Sequence, residues 1–102
     1  MKNKKFHDLL KKIGEIHDSK NEDYAVSQDP FSNFRECEKF DIPAWKGVMV
    51  RMSDKWCRLC NLVNKSAKNE SFEDNCLDLA VYSLILYLLR KEKWEPTTLR
   101  DI

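Results

Sequence analysis

The chain has 102 residues, 34% charged and 42% hydrophobic, with two glycines, three prolines and a net charge of +1. This length fits a single domain over residues 1–102, with its core in 2–92 and a tail over 93–102, able to bury about two thirds of its unfolded surface. So balanced a charge excludes a general pull toward duplex nucleic acid or a membrane, and the scarcity of Gly and Pro fits a helical protein.

Phe6, Leu9, Leu10, Ile13 and Ile16 recur at helical spacing and predict a first helix over 2–20, with Lys4, Lys5, Lys11 and Lys12 on its solvated face. His7 and His17 have no Cys or His at metal spacing. The opening stretch MKNKKFHDLLKKIGEIHD mixes acids with bases and reads as neither a signal nor a transit peptide. Periodicity then breaks over residues 20–43. Asp29-Pro30 favours a turn, and Phe31, Phe34 and Phe40 suit a short helix over 31–39. A connection this long in so small a domain is usually functional or disordered, and three Phe with Tyr24 argue against disorder. These aromatics either dock the loop on the core or form a wall for a planar ligand.

Pro43 opens a second helix over 44–63. Met49, Met52, Trp56, Leu59 and Val63 form its expected apolar face, while Arg51, Asp54, Lys55, Arg58 and Asn61 fall on another stripe. Residues 42–68 hold six cations against one acid, and residues 69–80 hold four acids and no cation. Of four cysteines, Cys57 and Cys60 lie within this helix and, lacking a second such pair, read as small core residues rather than a zinc site. With Cys37 and Cys76 they are expected as free thiols in a reducing cytoplasm.

A polar link over 64–70 leads to the stretch NESFEDNCLDLAVYSLILYLLR, a long third helix over 70–92. Ser71 and Asp74 stand at capping-box spacing. Leu79 to Leu89 is apolar nearly all round, which calls for neighbours on most sides, yet is too short to span a bilayer. Glu70, Asp74, Asp78 and Tyr82 are four apart and share a face. Asp78 lies among apolar residues, where a carboxylate needs a cationic answer. One answer is an ion pair with the second helix; the other is a carboxylate ridge holding a metal or ligand. In the first case Asp78→Asn destabilises the fold. In the second the ligand-free protein keeps its stability, which is the outcome expected from sequence. The architecture expected is a small antiparallel bundle, all-α, of three main helices plus the short one in the 21–43 connection, assembled as a homo-oligomer.

The segments KNEDYAVSQDPFSNF, GVMVRMSDKWCRLCNL and NESFEDNCLDLAVYSLIL together resemble a phage and bacterial domain associated with nucleotide modification. That domain is itself similar to the MazG-like all-α nucleotide pyrophosphohydrolases. The resemblance implies an oligomeric helical protein of the host-cell cytoplasm. It further implies Mg²⁺-dependent hydrolysis of nucleoside triphosphates, or of modified nucleotides, between the α and β phosphates. Asp74 and Asp78 match the acidic pair on the later helix of that group, with Glu70 and Asp54 as further metal ligands. Where the group carries E-E-x-x-E on its earlier helix, this chain has Asp54 alone among cations. Lys20, Arg51, Lys55, Arg58 and Asn61 are the expected phosphate or ligand contacts, and Tyr24, Phe31, Asn33 and Phe34 the base-stacking or loop residues. Three readings stay open: a pyrophosphohydrolase, a non-catalytic sponge for nucleotides or cyclic oligonucleotides in anti-defence, and a charge-paired homo-oligomeric interaction domain.

Overall fold

The structure is a computed structural model that describes residues 1–24 and 29–94, apart from the side chains of Asn21, Asp23 and Tyr24. All regular structure among them is helical: α1 (Lys4–Tyr24), α2 (Ala44–Leu62), α3 (Phe72–Lys91) and two short 3-10 segments, Ser32–Phe34 and Glu36–Phe40. No helix among the described residues is long and apolar enough to cross a membrane. Contacts divide the chain into two compact units, Met1–Asn33 and Phe34–Ile102.

In the first unit, the Asn3 side chain accepts from the Phe6 N–H at 3.1 Å and starts α1, and Lys4 pairs with Asp8 at 3.4 Å one turn on. The helix runs four residues beyond the expected end because no Gly or Pro follows Lys20 to stop it. Phe6, Leu9 and Leu10 of its apolar stripe are exposed. After it, the Asp29 side chain accepts from the Phe31 N–H at 3.0 Å, closing the Asx-type turn that Asp-Pro favours.

The second unit is a helical hairpin with a loop packed on it. The expected helix over 31–39 is instead two 3-10 segments, and the chain leaves the second through Asp41 in the left-handed region, at φ 57°. Asp is among the few residues other than Gly that visit that region, and the Asp41 backbone N–H closes the segment on the carbonyls of Cys37 and Glu38. Phe34 anchors the loop: it is buried and meets Tyr82 of α3 edge-to-face at 6.1 Å between centroids. Phe40, expected as a second anchor, is 71% exposed. Arg35 grips Glu92 beyond α3 with two hydrogen bonds of 2.9 and 3.2 Å. Pro43 sits at the N-cap of α2, and its carbonyl accepts from Lys46 and Gly47.

Helices α2 and α3 pack antiparallel. Trp45 near the start of α2 lies under the Arg90 guanidinium at 4.8 Å near the end of α3, while Lys55 reaches the first half of α3. Between them lie Val48, Leu59, Ile85 and Leu89, each buried and each contributing about 1.5–3 kcal/mol through its removal from water. The buried face of α2 matches the expected one only in part: Leu59 is buried and Met52 half-buried as expected. Met49, Trp56 and Val63 are exposed; Ala44, Val48, Lys55 and Leu59 face inward. The helix is turned by about one residue relative to the apolar reading, because the charged Lys55 belongs to the packed face. Cys57 and Cys60, expected in the core, are exposed, as is Cys76.

Gly47 marks where the loop presses on α2. A Cβ there would stand 2.8 Å from the Cys37 sulfur, whose thiol points at the carbonyls of Phe34 and Pro43. Gly47→Ala is therefore expected to destabilise the wild type by about 1 kcal/mol through overpacking. In a Cys37→Ala background the same change should stabilise by about 1 kcal/mol through helix propensity. Urea denaturation of the four proteins checks this, and a gain in both backgrounds would show that the loop does not seat there.

Candidate functional site

The site begins with the cap of α3. The Ser71 hydroxyl accepts from the Asp74 N–H at 3.0 Å, and the Asp74 carboxylate accepts from the Ser71 N–H at 3.3 Å. This is the capping box that the sequence spacing predicts. It commits Asp74 to its own helix terminus.

One turn on, Asp78 faces α2 and accepts from the Lys55 ammonium at 2.8 Å. Lys55 also reaches Glu70 at 3.3 Å, and Glu70 is shared with Arg58 at 3.4 Å. The Lys55 side chain is 11% exposed, so this is a charge taken out of water and answered by two carboxylates. Burial alone would push its pKa down. The hydrogen bonds and charges of Asp78 and Glu70 outweigh that, and the ammonium titrates above its ordinary value of 10.5. Arg51 lies over the Phe34 ring at 4.7 Å, a cation–π contact that holds the loop to α2.

The predicted ridges thus meet chiefly by pairing with each other. Of the four expected metal ligands, Asp78 and Glu70 are engaged by cations, Asp74 caps α3, and Asp54 is exposed on α2. Among the described residues no three His, Cys, Asp or Glu side chains gather as a metal would require. Mg²⁺ demands near-octahedral oxygen ligation. As placed, these carboxylates turn to cations and to the helix cap rather than to a common point.

Beside this pairing, at the turn between α2 and α3, opens a pocket of about 460 Å³. Arg58, Asn61, Lys68, Asn69, Glu70 and Asn75 supply its polar lining. Three of these, Arg58, Asn61 and Glu70, are residues singled out from sequence. Sequence reading missed Lys68, Asn69 and Asn75. Asn75 is 1% exposed and donates to the Ser71 carbonyl at 2.9 Å, while its side-chain oxygen finds no hydrogen-bond partner. Asn75 follows Glu73 and Asp74 in the polar first turn of α3, so its residue type gave no sign of burial. Lys20, Phe31 and Asn33 belong to the first unit, and within the second unit Phe34 and Arg51 belong to the loop contact and do not line this pocket. The Tyr24 side chain lies outside the described residues.

Asp78→Asn leaves the Lys55 ammonium with Glu70 alone and is expected to cost about 2 kcal/mol. That is less than the roughly 3–5 of a fully buried broken pair, because Asp78 keeps some contact with water. A ligand-free melting temperature equal to wild type would return Asp78 to the ligand reading. The pH dependence has a definite sign. A lysine pKa raised by folding gives stability that is fully present below the unfolded value and lost as pH rises through the folded one. The stability gap between wild type and Lys55→Met should be full at neutral pH and close above 10.5. Denaturant titrations across alkaline pH measure it.

No family model matches the chain, and no curated protein or solved structure matches it significantly, so its function is argued from its own residues.

Proposed function

We propose that this chain binds a nucleotide or cyclic oligonucleotide through its phosphates, in the pocket at the turn between α2 and α3. The observation that carries this reading is the pair of cations, Arg58 and Lys68, on the lining of an open pocket of about 460 Å³. Arg58 offers a planar fork suited to phosphate, and its link to the half-exposed Glu70 is a surface ion pair that a phosphate can displace at little cost. Lys68 adds a point charge. The amides of Asn61, Asn69 and Asn75 supply donors and acceptors of the kind that base edges and sugar hydroxyls require. A volume of about 460 Å³ falls within the range of small-molecule sites. The resemblance to nucleotide-modification and MazG-like domains supports the same ligand class and a frame of antiparallel bundles in a homo-oligomer.

Of the two forms of this reading, retention without hydrolysis is better supported. Hydrolysis between phosphates needs a metal held firmly enough to polarise the ester and orient water. Lys55 competes for the carboxylates that would hold it. Such a protein would act as a cytoplasmic sponge for nucleotide or cyclic-oligonucleotide signals.

The test is incubation of the full chain with nucleoside and deoxynucleoside triphosphates and cyclic dinucleotides, with and without Mg²⁺, then chromatography of bound and released species. Intact ligand returned on denaturation is the expected result. Release of pyrophosphate only with Mg²⁺ would replace the sponge by the enzyme. Replacing both exposed cations, Arg58→Ala with Lys68→Ala, should weaken binding by at least about tenfold. Unchanged affinity in that variant, or no ligand retained from the panel, would overturn the pocket.

A further inference from the structure

The pocket at the turn between α2 and α3 is lined by a carboxylate as well as by cations. Glu70 stands in the lining beside Arg58 and Lys68. Arg58 and Lys55 both bind the same Glu70 oxygen, Oε2, at 3.4 and 3.3 Å. The two bonds differ in how easily they part. The Arg58 side chain is 54% exposed and can turn from Glu70 to a ligand, whereas that of Lys55 is 11% exposed. An ammonium so far out of water holds its carboxylates firmly. Glu70 therefore stays in the lining when a phosphate takes Arg58.

An oxygen bound by the Arg58 guanidinium stands within about 6 Å of Glu70 Oε2, two hydrogen-bond lengths end to end. At that range the repulsion grows with the charge that the ligand brings. Nor is there much positive charge to offset it. Lys55, Arg58 and Lys68 meet Glu70 and Asp78, three cations against two carboxylates, so the cluster carries one net positive charge. The other polar lining, Asn61, Asn69 and Asn75, adds none. A phosphate esterified on both sides bears one negative charge and matches that surplus. A terminal phosphate bears about 1.5 to 2 at neutral pH, and the excess falls beside Glu70.

We infer that Glu70 determines the specificity of this pocket, and that its ligand is a phosphodiester without a terminal phosphate, as in a cyclic nucleotide. This rests on the reading of the pocket as a phosphate site and goes beyond it by naming which phosphates enter.

The test is calorimetric titration of the full chain, without Mg²⁺, with three ligands that share bases and sugars. They are a cyclic dinucleotide, the linear dinucleotide, and the linear dinucleotide with a 5′-phosphate, each in the adenine and guanine series. A pocket that only attracts phosphate gains affinity from the added 5′-phosphate. Here it is expected to weaken binding by about fivefold or more. Glu70→Gln keeps a carbonyl acceptor for Lys55 while removing the charge, and should bring the two linear ligands within about twofold of each other. Glu73→Gln, an exposed first-turn acid outside the lining, should leave the penalty as in wild type. Tighter binding of the 5′-phosphorylated ligand by wild type would overturn the inference with no variant needed. So would a penalty that survives Glu70→Gln or disappears equally with Glu73→Gln; in each of these cases the pocket itself stands. Binding of none of the three ligands would overturn the pocket as well.

Discussion

The second unit is organised around a lysine ammonium held between two helices. Lys55 sits on the packed face of α2, where an apolar residue would ordinarily stand, and Asp78 and Glu70 answer its charge from α3 and the link before it. Apolar packing alone tolerates rotation and slippage, because one aliphatic side chain substitutes for another at modest cost. A buried charge does not. Removing the ammonium from its carboxylates costs several times what an apolar mismatch does, so the rotation of α2 and the register of α3 are fixed together.

That constraint also shapes the neighbouring pocket. Glu70 is drawn to Lys55 and Arg58 and pulls the link over α2 just before Ser71 begins α3. The cap at Ser71 then fixes the first turn of α3, and Asn75, one turn on, donates to the Ser71 carbonyl. Two cations and three amides are thereby gathered by a link of short polar residues with no apolar anchor of its own. The carboxylates that a metal-centred reading would use are the same ones that hold the hairpin together.

The sequence was legible where local chemistry decides. The three main helices and the capping box follow from spacing, and the structure places them within a few residues of expectation. The pairing of the two charged ridges was one of two outcomes that spacing and charge allowed, and not the one expected for Asp78. It was misleading where tertiary context overrides residue type. Counting Met49, Trp56 and Val63 as core turned α2 the wrong way, since a hydrophobicity pattern assigns Lys55 to water. The 3-10 path through 32–40 was hidden because it rests on the Gly47–Cys37 approach and the left-handed Asp41, neither of which has a periodic signature. Lys68, Asn69 and Asn75 were missed for a related reason: residues of the link and of the first turns of α3 come together only once the hairpin closes.

The two faces of α3 differ in composition. Residues at 75, 78, 82, 85 and 89 and those at 73, 77, 80, 84, 87 and 91 both step by threes and fours, and the two stripes are centred about 160° apart at 100° per residue. Near-opposition means that a change on one stripe scarcely reaches the other except through backbone shifts. The inward stripe mixes an amide, a carboxylate and a phenol with aliphatic residues, as a surface that must fix register and shape a pocket requires. The outward stripe is aliphatic and aromatic with charge only at its ends. The inward pattern alone completes the two-helix core, and the outward one leaves Leu84, Tyr87 and Leu88 exposed.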